Sequence, residues 1–160
     1  GATLAGDWPD SFYARLYPRL AAGTPLVPGI EAALDAIGAA GLARAVGSNG
    51  SPEKIRITLG QHPQVLAGFK GHLYSGQALG CPKPDPGLYL HAARAVGVDA
   101  GRAVVVEDSP TGARAARLAG MRCLGFAAHG DGARLAAEGA EVFHRMTDLP
   151  ALLGLPASPL

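Results

Sequence analysis

The sequence predicts an α/β fold built on a parallel sheet, and three observations predict it. Short apolar runs alternate with helical stretches along the 160 residues, the pattern of βαβ units. Two of those runs end in a polar loop that opens at once into a Ser-Pro helix start, Ser51-Pro52 and Ser109-Pro110. Serine at an N-cap followed by proline in the first turn is a strong start signal. The third observation is Val104-Val105-Val106, a continuous β-branched run that reads as a buried parallel strand.

Taken in order, Asp10-Ser11 ahead of Phe12-Tyr13-Ala14-Arg15-Leu16 predicts a capped amphipathic helix over 10–22. Ile30, Ala33, Leu34 and Ile37 give a helix over 29–40 its apolar face, and Gly41 stops it. A strand follows over 42–47 and a helix over 52–60. The next strand spans 72–75, and Asp85-Pro86 caps a helix over 86–96. Leu88, Ala92 and Val96, with Tyr89 alongside, form that helix's apolar face before Gly97. A strand over 103–107 leads into a helix over 110–119 that Gly120 ends. Strands over 122–126 and 140–143 and helices over 131–138 and 148–153 complete the alternation. Residues 155–160, with Pro156 and Pro159, read as a flexible tail.

Composition restricts the function classes. Hydrophobic residues make up 48% and charged residues 17%, which is the balance of a folded domain rather than a charged tail. A net charge of +1 gives no reason to expect nucleic acid or a membrane surface. No apolar run is long enough to span a bilayer. Cys81 and Cys123 are too few and too far apart for a disulfide framework or a zinc site, so a reducing cytoplasm is expected. His62, His72, His91, His129 and His144 show no ligand spacing.

Three segments carry candidate chemistry. Glu107-Asp108 lies where the valine strand ends and the next helix begins, the position at which open α/β sheets bind ligands. Paired carboxylates there suit a hard cation such as Mg2+; equally, acids at a helix start complement its dipole. Gly47-Ser48-Asn49-Gly50-Ser51-Pro52 is either an anion site of backbone N–H groups beside a hydroxyl or an ordinary capped turn. Lys83 stands between Pro82 and Pro84, fixed by their restricted backbones. It is either a solvated lysine in a rigid turn or a point charge for phosphate oxygens.

The order of these segments decides between the readings. A strand ending in Ser, then Lys-Pro-Asp-Pro, then a strand ending in Glu-Asp-Ser-Pro resembles the haloacid dehalogenase superfamily of phosphohydrolases. Ser48 matches the second motif of that family, Lys83 the third and Glu107-Asp108 the fourth. Leu26-Val27-Pro28-Gly29-Ile30, Tyr74-Ser75-Gly76 and Ala119-Gly120-Met121 agree with it. The resemblance is closest to the subgroup with a helical cap, which includes phosphoglycolate-phosphatase-like and β-phosphoglucomutase-like members. It implies a three-layer Rossmann-like core over 23–154, with 1–22 as the remnant of the cap.

The resemblance also implies a function. An aspartate would attack a small phosphorylated substrate and form an aspartyl-phosphate. Mg2+, held by Glu107 and Asp108, would neutralise charge. Ser48 and the Asn49 backbone would hold phosphate oxygens, and Lys83 would offset the developing charge. A β-phosphoglucomutase-like phosphotransferase and a non-catalytic binding protein are the alternatives. The resemblance further implies a cis Lys83-Pro84 bond.

One part of the family pattern is missing. Its first motif, Asp-x-Asp after an apolar strand, supplies the nucleophile. Here Asp7-Trp8-Pro9-Asp10 has the wrong spacing, and Pro9 breaks the segment. The chain opens on Gly1 rather than Met and is expected to begin inside the cap, without the nucleophile strand. That strand lies centrally in the family's sheet, so its loss would leave unpaired edges and exposed apolar surface. A complementing N-terminal fragment or a strand swapped from a second copy would restore it.

Overall fold

The computed structural model describes residues 8–156. Among the described residues there are five strands, each separated from the next by one or two α-helices. Helix α1 (Trp8–Ala22) is followed by α2 (Ile30–Ala39), β1 (Val46–Ser48), α3 (Pro52–Leu59), α4 (Pro63–Gly68) and β2 (Leu73–Ser75). Then come α5 (Gly76–Leu79), α6 (Gly87–Ala95), β3 (Val104–Glu107), α7 (Pro110–Leu118) and β4 (Arg122–Phe126). Helix α8 (Ala133–Ala136), β5 (Glu141–Phe143) and α9 (Leu149–Leu152) close the chain. All strand pairs are parallel.

Two core clusters show the three layers. Residues of α6 and α7, among them Ala93, Ala113, Ala115 and Ala116, pack with Val105 of β3 and Cys123 of β4. Ala33 and Ile37 of α2 pack with Leu124 of β4, Phe143 of β5, Met146 and Leu149. Cys123 and Leu124 are successive residues of one strand and must point to opposite faces. Helices therefore cover β4 on both sides. The alanines of α7 let its backbone lie close to the sheet.

Among the described residues the strands form two sheets, β1-β2 and β3-β4-β5. One edge of β1 and one edge of β3 thus stay unpaired. This corrects the expectation of a fully buried valine strand. Val105 is buried, but Val104 and Val106 are 36% and 40% exposed. By register they point to the same face as Leu124 of β4, the face on which α2 packs against Leu124 and Phe143.

Other differences have local causes. Strand β1 begins at Val46, not at 42. Leu42 is exposed, and Arg44 turns back to donate to the Leu34 carbonyl at 2.6 Å. Helix α6 begins at Gly87, one residue late, yet Asp85 Oδ1 still accepts the Gly87 N–H at 2.7 Å. Helices α4 and α5, of six and four residues, were not expected, because such short segments display no helical period. Helix α1 starts at Trp8, before the expected Asp10 start. Leu155 packs on the α2-side core, and its N–H donates to the Pro150 carbonyl; residues 157–160 of the expected tail lie outside the described residues. No described helix is long and apolar enough to cross a membrane.

Candidate active site

Serine caps bring the three motif segments to one end of the sheets. Ser51 Oγ accepts the Lys54 N–H at 3.1 Å and starts α3 just beyond β1. Ser109 Oγ accepts the Gly112 N–H at 3.0 Å and starts α7 just beyond β3. Ser48 and Glu107 are thereby left at the carboxyl ends of parallel strands, where the following helix start adds positive dipole.

The lysine loop is tied to the serine loop by an amide clamp. Asn49 Nδ2 donates to the Lys83 carbonyl at 3.0 Å, and Lys83 N–H donates to Asn49 Oδ1 at 2.7 Å. Asn49, expected to act through its backbone, thus uses its side chain to hold Lys83. Gly76 permits this closeness, since a Cβ there would lie 2.9 Å from Pro82 Cα and 3.0 Å from Asn49 Oδ1. Ser75 adds a brace by donating to the Gly50 carbonyl at 2.7 Å. The Lys83-Pro84 bond is cis, as the resemblance implied. Ser48 Oγ accepts the Gly50 N–H at 3.0 Å and keeps its own proton for a ligand.

Lys83 spans the two sheets. Its ammonium donates to the Gly47 carbonyl of β1 at 3.3 Å and to Glu107 Oε1 of β3. Two of three ammonium N–H groups are thus engaged by the described residues, and one remains for an incoming oxygen. The side chains of Lys83 and Glu107 are only 12% and 6% exposed. A buried charge needs such a partner, because an unpaired one is strongly disfavoured.

Glu107 is more fully occupied than the sequence suggested. Oε1 accepts from Lys83 and from the Tyr89 hydroxyl. Oε2 accepts from Ser109 Oγ at 2.8 Å and Ser109 N–H at 3.3 Å. A carboxylate offers about four acceptor positions, and all four are taken here. Burial opposes ionisation of Glu107, but hydrogen bonds from Lys83 and Tyr89 and the lysine charge outweigh it and hold the carboxyl below its ordinary value. Burial foremost, then the Glu107 charge, pushes the Tyr89 phenol up, so it stays protonated and donates.

This donor set bears on a metal. Asp108 is exposed beside Glu107, and its carboxylate is the hard oxygen ligand that suits Mg2+. Glu107, paired with it in the sequence reading, has no acceptor position left in this arrangement. Among the described residues no three His, Cys, Asp or Glu side chains gather as a metal cage. Asp108 fits such an ion, and further ligands must come from elsewhere. Three of the five histidines have other partners: His62 Nε2 meets the Thr24 carbonyl at 2.7 Å, His72 Nδ1 the Tyr74 hydroxyl at 2.9 Å and His144 Nδ1 the Ala127 carbonyl at 2.9 Å.

Comparison with known proteins agrees with this geometry. The haloacid dehalogenase-like hydrolase family matches residues 1–120. The chain is 31% identical over 153 residues to a 6-phosphogluconate phosphatase of Escherichia coli K12, covering 95% of this chain and 67% of that protein. It is 35% identical to a plasmid phosphoglycolate phosphatase of Cupriavidus necator, covering 79% and 54%. A CBBY-like protein of Arabidopsis thaliana is 34% identical, and the match spans only 31% of its length. Among solved structures, a haloacid dehalogenase-like protein of Agrobacterium tumefaciens superposes with a TM-score of 0.82 at 34% identity, over 95% of this chain and 70% of that one. CbbY of Rhodobacter sphaeroides, in complex with phosphate, superposes with a TM-score of 0.77 at 29% identity, over 96% and 70%. With its motifs, its parallel strands and these matches all in agreement, the chain belongs to the haloacid dehalogenase-like hydrolase family.

Proposed function

We propose that the protein hydrolyses the phosphomonoester of a small metabolite with Mg2+ at the carboxyl ends of β1 and β3. The observation that carries this reading is Lys83, buried, ion-paired to Glu107, bonded to the Gly47 carbonyl and left with one ammonium N–H. Its relatives named as phosphatases support the same chemistry.

Each residue has a distinct role. Ser48 donates its hydroxyl proton to one phosphate oxygen, and the Asn49 N–H meets another. The free N–H of Lys83 meets an oxygen on the transferring group and offsets charge as it builds. Asp108 holds Mg2+, and Glu107 contributes negative charge beside it while neutralising Lys83. When bound, the ion supplies further neutralisation of phosphate charge.

The nucleophile is a carboxylate on one further parallel strand, lying between the unpaired edges of β1 and β3. The two separate sheets, each with an unpaired edge on β1 or β3 among the described residues, support that position. Its oxygen attacks phosphorus as the ester oxygen leaves with a proton from a second acid. Water then cleaves the acyl phosphate and restores the carboxylate. An N-terminal segment carrying Asp-x-Asp, or a swapped copy of it, would supply both acids. In this reading 1–22 belongs to the cap and 23–154 to the core. The free thiols of Cys81 and Cys123 suit a reducing cytoplasm.

The test is hydrolysis of p-nitrophenyl phosphate by the full-length protein in Mg2+. Wild type turns over, whereas Lys83→Ala and Asp108→Asn each lose about a hundredfold or more. Turnover unaffected by both substitutions would overturn the reading. Transfer to a sugar hydroxyl in place of water would make the protein a phosphotransferase. A folded full-length protein that binds phosphate but never turns over would make it a binding protein.

A further inference from the structure

Tyr89 is a buried core residue of α6 by its helical period, but its hydroxyl does something a core residue need not do. It donates to Glu107 Oε1, the oxygen that also receives the Lys83 ammonium. Its ring lies beneath that ammonium, with Lys83 Nζ 5.6 Å from the ring centroid. The ring edge also rests on β1: a Cβ on Gly47 would stand 3.1 Å from Tyr89 Cε1. One side chain therefore touches β1, β3 and the lysine that joins them.

We propose that Tyr89 is a positioning residue, which fixes the Lys83 ammonium between β1 and β3 by anchoring Glu107 through its hydroxyl and supporting the cation with its ring face. The inference rests on the phosphohydrolase reading only for its effect on turnover.

The physical argument has three parts. A lysine side chain is long and loses substantial rotamer freedom when held in one place. Glu107 alone, with its Oε2 end tied to Ser109, could still rotate its Oε1 with the lysine. The phenol O–H fixes Oε1 to the helix that packs beneath it, and a hydrogen bond to a charged group is among the stronger ones. The ring face adds an attraction for the ammonium that is largest where water is excluded. Phenylalanine would keep the ring and the packing with Ala93 and Val105 and would remove only the anchor.

The test compares wild-type full-length protein with Tyr89→Phe. A lysine ammonium held in an ion pair gives a resolved 15N–1H NMR signal, and a mobile one exchanges its protons too fast to be seen. Wild type is expected to show the Lys83 ammonium signal and a slowly exchanging Tyr89 hydroxyl proton. Tyr89→Phe is expected to melt cooperatively, lose the ammonium signal and lower kcat about tenfold with KM within about twofold. A folded Tyr89→Phe protein with the Lys83 signal intact would overturn the proposal. So would a wild type without the hydroxyl proton, whatever the variant does. If wild type shows both signals and Tyr89→Phe loses that of the ammonium, but wild type hydrolyses no phosphate ester, the phosphohydrolase reading fails and the positioning role stands.

Discussion

Glu107 ends an apolar strand at 7% exposure and keeps its charge because four donors reach it. Gly112 is what leaves it room. A Cβ at that position would overlap the Glu107 carboxylate, so Gly112→Ala must displace either the helix or the glutamate. We expect a loss of about 1–3 kcal/mol, measured by urea denaturation; an unchanged midpoint would contradict the packing described. Cys123 on β4 gives a pH prediction. Burial foremost, then the Glu107 charge, pushes its thiol up to about 11. A raised thiol value means that the unfolded chain ionises first. The contribution of Cys123 is therefore whole below the ordinary thiol value of 9.0 and is lost as pH rises toward about 11. Cys123→Ala should flatten the alkaline limb of a stability-against-pH curve, and an equal slope in both proteins would refute this.

At the scale of elements, the strand-to-helix turns explain why so much was legible. Ser51-Pro52 and Ser109-Pro110 fix helix starts by local chemistry alone, and local chemistry is what a sequence displays. Ser109 also donates to Glu107 Oε2, so Ser109→Ala removes a cap and a carboxylate donor together. Its cost should be about 1–2 kcal/mol by thermal melting, and a variant as stable as wild type would show the cap to be dispensable. The candidate residues Ser48, Lys83 and Asp108 were readable from their motifs. The Lys83–Glu107 pair was not, because it joins residues 24 apart through tertiary packing. Helical period put Tyr89 on a buried face but could not show where its hydroxyl points. The saturation of Glu107 was hidden for the same reason. The exposure of Val104 and Val106 was missed because a β-branched run shows strand propensity and not which faces are covered.

At the scale of the molecule, two half-sheets are joined at their carboxyl ends through Glu107 by one lysine and one tyrosine, and an asparagine clamp holds the lysine loop to β1. Helix α1 is held to α3 and the turn after it: the hydroxyls of Tyr17 and Ser51 lie 2.7 Å apart, and Gln61 Nε2 donates to the Leu20 carbonyl at 2.9 Å. The strand proposed above would pair with the unpaired edges of β1 and β3. A peptide with an apolar strand ending in Asp-x-Asp should bind the 160-residue chain and raise its melting temperature in proportion to the logarithm of peptide concentration. No shift at saturating peptide would argue against that slot. The most direct measurement for the whole account is intact mass of the full-length protein, acid-quenched during turnover of a phosphomonoester in Mg2+. The account predicts a single phosphoryl group on an aspartate, formed and lost within the catalytic cycle and diminished in Lys83→Ala. Hydrolysis with no phosphorylated protein at any time, or with the phosphoryl group on Ser48, would contradict it.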